Sequence, residues 1–140
     1  NYTEAPEKFE AGTPNIAGAV GLAAAAEYLE EKGLNEISEH SRKLVAQMIS
    51  GLQDIKGVEV LSPEEANLVS FTADWAHPHD IAELLNQHGV AVRAGHHCAQ
   101  PQMEELDMNG TTRASPYLYN TEEDVEKFLE AVEEAREIFS

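Results

Sequence analysis

Sulfur, aromatic surface and positive charge are all scarce in this chain of 140 residues. A single cysteine, Cys98, excludes an internal disulfide. No basic-then-apolar leader precedes the fold, so a reducing, cytoplasmic compartment is the simplest expectation. Long apolar runs are missing too: "AGAVGLAAAA" at 17–26 is too short and too glycine-rich to span a bilayer. Repeats and low-complexity stretches are absent, and no serine–histidine–acid arrangement, phosphate loop or dinucleotide fingerprint is recognisable. The first residue is Asn1 rather than Met, which leads us to expect a fragment or a processed product.

Positive charge is the largest deficit. Nine basic residues, five of them lysine, face 26 acidic ones, for a net charge of −17. A field of that sign repels nucleic acid and anionic membranes, so neither is an expected partner. The acids are dispersed rather than gathered in a tail. Such dispersal suits a protein kept soluble at high salt, where self-repulsion is screened, and a halophilic source is expected. What the chain does have is 42% hydrophobic residues, enough to build one core in a domain of this length.

The periodicity predicts an α+β fold, a small antiparallel or mixed sheet covered by helices. Residues 1–13 read as an extended lead-in. Thr13 can cap an alanine-rich helix with Pro14 in its first position, running to about Glu31 and stopped by Gly33. A second helix follows, with Leu34, Ile37, Ser41, Leu44, Val45, Met48, Leu52 and Ile55 on one stripe and Gly57 at its end. The alternation then becomes strand-like in "GVEVLS" and "NLVSFTA". "HPHDIAELLNQHG" is a helix with Pro78 and Asp80 in its first turn and Gly89 as its stop. "VAVRA" (90–94) is a third strand, "PQMEELD" a short helical stretch and "TTRAS" a fourth strand. The final helix is capped by Thr121, starts with Glu122, Glu123 and Asp124, and faces Val125, Phe128, Leu129, Val132 and Ile138 inward.

The lone thiol sits in "AVRAGHHCAQP" (91–101), where Arg93, His96 and His97 are near in sequence and Gly95 permits a tight path. A thiol reacts as thiolate, and cations promote that form. Equally, a free cysteine is commonly a small buried hydrophobe. A metal site is a third reading, because His77, His79, His88, His96, His97 and Cys98 are possible ligands. However, adjacent His-His-Cys does not readily surround one tetrahedral ion, and the familiar paired spacings do not occur. Arg113 can offer a fork to a carboxylate or form an ordinary surface ion pair. "EAGTPN" (10–15) is either an anion-holding turn or a simple helix cap, and the cap is the plainer choice.

Four segments together go further. "FEAGTPN" (9–15), "HPHD" (77–80), "VRAGHHCAQP" (92–101) and "TRASPYLYNT" (112–121) resemble, in order and spacing, the C-terminal portion of group II, SufS-like cysteine desulfurases. The resemblance covers essentially the whole chain. It implies residues 1–14 as a lead-in from a large domain and 15–140 as the C-terminal small domain of a homodimeric aminotransferase-like enzyme. Such enzymes use pyridoxal 5'-phosphate (PLP) to convert L-cysteine to L-alanine. They leave a persulfide for an acceptor protein of the SUF type, which serves iron–sulfur cluster assembly; selenocysteine lyase activity is a near neighbour.

By the same resemblance Cys98 is the nucleophile and persulfide carrier, and Arg113 holds the substrate carboxylate. Gly12 and Thr13 would reach the cofactor phosphate of the neighbouring subunit. His79, Arg93, His96 and His97 would form the surface on which the acceptor docks, since a short loop has little reach of its own. No metal is implied. The cofactor lysine belongs to the family's large domain, so these residues alone are expected to be inactive and to bind no cofactor. Pro116 replaces a larger apolar residue of many relatives and should end the strand that carries Arg113. A free-standing sulfur-carrier or docking domain without PLP chemistry is the alternative from another class.

Overall fold

The computed structural model describes residues 3–63 and 65–140. The chain divides into two compact units, one ending at Glu36 and one spanning Ile37–Ser140.

In the first unit the lead-in forms a short 3-10 turn at Glu7–Phe9 rather than running extended throughout. Helix α1 (Ile16–Lys32) is capped by Asn15, not Thr13. Gly12 adopts a left-handed φ of 84°, and Pro14 stays outside the helix. The Asn15 side chain is therefore the one that accepts from the Gly18 N–H, at 2.9 Å. Gly33 stops the helix as expected, its φ of 86° letting its N–H reach the carbonyls of Leu29 and Glu30.

Helix α2 (Leu34–Asp54) carries the amphipathic stripe into the second unit and buries Ser41, Leu44, Val45, Met48, Ile49 and Leu52. Leu34, expected on that stripe, is exposed in the helix's first turn. Strands β1 (Val58–Val60) and β2 (Val69–Ala73) pair antiparallel, and helix α3 (Pro78–Gln87) follows. Strand β3 (Arg93–Gly95), helix α4 (Gln100–Glu105), strand β4 (Thr111–Ala114) and helix α5 (Glu122–Phe139) complete the order. The sheet runs β1-β2-β4-β3 and every pairing is antiparallel, giving the expected α+β architecture.

Strand β3 begins three residues later than the expected 90–94 segment. Register explains this: Arg93 lies opposite Arg113, so Val90 would fall opposite Pro116, which has no N–H to give. Strand β4 ends at Ala114, short of that proline.

The core of this unit follows from alternation on the central strand. Val69 and Phe71 are fully buried, together with Leu44 and Leu52 of α2, Ile81 and Leu85 of α3, and Phe128 and Val132 of α5. The Phe71 and Phe128 rings meet edge to face, centroids 6.1 Å apart. Thr121 and Asp124 form a full capping box at the start of α5, with Thr121 Oγ1 accepting from the Asp124 N–H and the Asp124 carboxylate accepting from the Thr121 N–H. Leu129 is half-buried, whereas Ile138, expected inward, is exposed where the helix reaches its last turn. Among the described residues no helix is long and apolar enough to cross a membrane.

Candidate functional site

The antiparallel pair of the edge strand β3 with β4 builds the site. Arg93 and Arg113 face each other in register, and Gly95 lies opposite Thr111. Both strand ends there are glycine for a steric reason. Gly95 and Gly110 have φ of 110° and 117°, and a Cβ on Gly110 would sit 3.0 Å from the Gly95 backbone. The two segments thus approach backbone to backbone where the Cys98 loop departs.

That loop turns tightly. The Ala99 N–H donates to the His96 carbonyl at 2.9 Å, and α4 starts immediately afterwards. His97 and Cys98 both take left-handed φ values, 55° and 62°, which L-residues with a Cβ rarely adopt. Cys98 is exposed, so its reading as a buried hydrophobe fails. The Arg93 Nη2 donates to the Cys98 Sγ at 3.5 Å.

His97 behaves differently from its neighbours. His96 is exposed, while the His97 ring turns back to the sheet, its Nε2 lying 2.7 Å from Thr111 Oγ1 and 3.1 Å from the Thr111 carbonyl. Burial holds its pKa below the ordinary 6.5, and the charge of Arg113 adds to this; the Thr111 carbonyl offsets part of the shift, and Arg93 and His96 contribute smaller lowering effects. The imidazole is accordingly neutral near pH 7.

His79 completes the group from α3. His77 caps that helix, its Nδ1 accepting from the His79 N–H, and the two rings stack with centroids 5.3 Å apart. A Cβ on Gly95 would lie 3.6 Å from His79 Nε2, an ordinary contact distance, so that ring flanks the end of β3. An open groove lined by His79, Arg93, Gly95, His96, Cys98 and Pro101 results. Arg113 is half-buried, and its Nε is buried with no hydrogen-bond partner among the described residues. A donor in that position is ready for an anionic ligand. Among the described residues, no three histidine, cysteine or acidic side chains converge as a metal-binding set.

The structure thus gathers Cys98, Arg93, Arg113, His79, His96 and His97 in one neighbourhood of the second unit. Gly12 and Thr13 belong to the first unit; both are exposed, and nothing lies within 4 Å of where a Gly12 Cβ would be.

The family model described as aminotransferase class-V matches residues 1–128. The chain belongs to that family. Among relatives of this class-V chain, a probable cysteine desulfurase of Halalkalibacterium halodurans is 48% identical over 99% of the chain and 34% of its own length. One from Pyrococcus abyssi is 48% identical over 94% of the chain and 34% of its length. The crystal structure of the cysteine desulfurase CsdA (S-sulfonic acid) from Escherichia coli superposes with a TM-score of 0.92 at 39% identity, over 99% of this chain and 35% of that one. The apo cysteine desulfurase of Thermococcus onnurineus NA1 gives 0.88 at 48% identity, over 95% and 34%. The class-V chain therefore spans about a third of the length of the relatives it matches.

Three roles in this class-V site escape sequence reasoning, that of His77 among them, which reads from sequence only as a possible metal ligand. Thr111 holds His97, Gly110 meets Gly95, and His77 caps α3. Gly110, directly before a predicted strand, was the readable signal. Histidine is an uncommon cap, and nothing in the spacing of Thr111 marks it as a partner of His97.

Proposed function

We propose that this chain is the C-terminal small domain of a SufS-like, group II cysteine desulfurase, with residues 1–14 leading in from its large domain. The full protein is a PLP-dependent homodimer that converts L-cysteine to L-alanine and hands sulfur to a SUF-type acceptor for iron–sulfur cluster assembly. The observation that carries the reading is the display of Cys98: the chain's one thiol, exposed on a constrained loop with a guanidinium at its sulfur. Identity of 48% to a probable cysteine desulfurase along 99% of the chain supports it.

In this reading Arg113 binds the substrate carboxylate, for which its unpartnered buried Nε is suited. Cys98 Sγ attacks the substrate sulfur; an S–S bond forms as the substrate C–S bond breaks, and its electron pair passes to the carbon. The Arg93 guanidinium, at Cys98 Sγ, then adjoins a persulfide whose outer sulfur bears the negative charge. An open left-handed turn at Gly12 and the exposed Thr13 hydroxyl fit a phosphate group, and these residues would hold that end of PLP in the neighbouring subunit. PLP, when bound, supplies the electron sink for this chemistry. His79, Arg93, His96 and His97 line the groove on which the acceptor docks. Dispersed acidity fits a halophilic, cytoplasmic protein, and selenocysteine is a second candidate substrate.

The test is an assay on the full-length, PLP-loaded protein. With L-cysteine it should release alanine and add one sulfur to the peptide containing Cys98, and Cys98→Ala should abolish both. Alanine production that persists undiminished in that variant, or its absence from the wild type, would remove the proposal.

A further inference from the structure

We infer that His97 is a positioning residue: by tying the loop to Thr111 it keeps the Cys98 sulfur at the Arg93 guanidinium. The functional meaning of that placement rests on Cys98 being the sulfur-accepting thiol, whereas the placement itself does not.

The backbone states the problem first. Two consecutive residues with side chains sit at φ of 55° and 62°, a conformation that persists only where its surroundings hold it. The Gly95–Gly110 contact fixes where the loop leaves the sheet, and the Ala99–His96 hydrogen bond closes the turn. Neither fixes the direction of the residues between. His97 does so, because its ring reaches Thr111, which is only 2% exposed and belongs to the sheet.

The chemistry of the ring fits a tie rather than a proton carrier. An Nε2–H satisfies both acceptors of Thr111 at once, leaving Nδ1 as a bare nitrogen, buried and without a partner among the described residues. The charged groups facing the ring are Arg113 from β4, Arg93 from β3 and His96 from the loop itself, and all three disfavour a second proton on it. A neutral imidazole leaves Arg93 as the cation adjoining the sulfur. Cys98 comes one residue after this anchor, so its Sγ lies 3.5 Å from Arg93 Nη2 by consequence of the tie.

Because the chain has one thiol, a disulfide reagent reads Cys98 alone. The rates of reaction with anionic 5,5'-dithiobis(2-nitrobenzoate) and with neutral 2,2'-dithiodipyridine are measured at pH 7 on the 140-residue chain, and on the full-length protein as the part of each rate that Cys98→Ala abolishes. The ratio of the two cancels the intrinsic reactivity of the sulfur and reports the cation beside it. His97→Ala and Arg93→Ala should each lower the ratio by about three- to fivefold, the size of one unit charge a few ångströms away in water. The double variant should fall no further, since both changes remove the same contact.

His97→Gln, whose amide can still donate to the Thr111 carbonyl, should stay within about twofold of wild type. Thr111→Val, isosteric and lacking only the hydroxyl, should lower the ratio in the same direction, and it serves as the decisive variant where circular dichroism finds His97→Ala unfolded. An unchanged ratio in a folded His97→Ala or Thr111→Val protein overturns the inference, as does an additive double variant. Neither reagent needs cofactor or substrate. A protein without desulfurase activity would sink the functional proposal and leave this result standing, and an unchanged ratio in an active enzyme would do the reverse.

Discussion

Helices α1 and α2 follow each other in the chain and could hardly use their apolar residues more differently. α2 concentrates them on one stripe and buries six residues. α1 distributes isoleucine, valine, leucine and alanine around its circumference and buries none among the described residues, with Val20 and Leu22 exposed. A helix that is apolar all round is ordinarily the kind a protein encloses. Composition therefore overstates the core of this chain: the apolar residues of α1 count towards its 42% hydrophobic content, yet none of them is buried.

The largest expected effect tests that contrast directly. Phe128→Ala removes a ring that is 1% exposed and in contact with Phe71, and should lower the unfolding free energy by about 3–5 kcal/mol in urea. Leu22→Ala, at a site 73% exposed, should change it by less than about 0.5 kcal/mol. Comparable losses at the two positions would break the comparison. Glycines sharpen it. Gly110→Ala forces a Cβ against the Gly95 backbone at positive φ and should cost about 2 kcal/mol. Gly21→Ala, in α1 with nothing within 4 Å, should instead stabilise by about 0.5–1 kcal/mol through helix propensity. Between these lies Thr121→Ala, which removes half of the α5 capping box and should cost about 1 kcal/mol in the same assay.

The smallest effect is one of pH. The folded-state pKa of His97 lies below its ordinary 6.5, so the unfolded chain takes up that proton more readily. Stability should decline as pH falls from about 6.5 towards the folded value and gain no further penalty from this residue below it. The thermal midpoint measured between pH 7 and pH 5 should show this decline, and His97→Gln should flatten it. Glu122, Asp124 and Glu133, whose pKa values are lowered by Lys43, by the Thr121 N–H and by Arg136, act in a more acidic window and leave that comparison clear.

Legibility in the sequence followed the same division. Elements whose hydrophobic period was strong, α2, α3 and α5, could be placed from spacing alone, because burying one face is what forms them. The shorter features depended on register and local bonding. The start of β3 is set by where Pro116 falls on the partner strand, and the cap of α1 by whether Asn15 or Thr13 faces the first free N–H groups. In the site, Cys98, Arg93 and Arg113 drew attention by chemistry. The pairing of His97 with Thr111 spans 14 residues and carries no pattern of its own, so only the folded sheet brings it into view.

One consequence of the paired strands concerns size. Two of the chain's four arginines, Arg93 and Arg113, stand opposite each other in a molecule whose net charge is −17. At a distance of several ångströms the local pair governs, while beyond the Debye length of about 8–10 Å the remaining charge is largely screened at moderate salt. A small molecule entering the groove meets a positive island, and its own overall neutrality lets it cross the surrounding field unhindered. A large polyanion, however well one of its groups would suit those guanidinium forks, has the rest of its charge held against the acidic surface. On the proposed function, this arrangement would favour a small molecule carrying a single carboxylate over a chain of carboxylates.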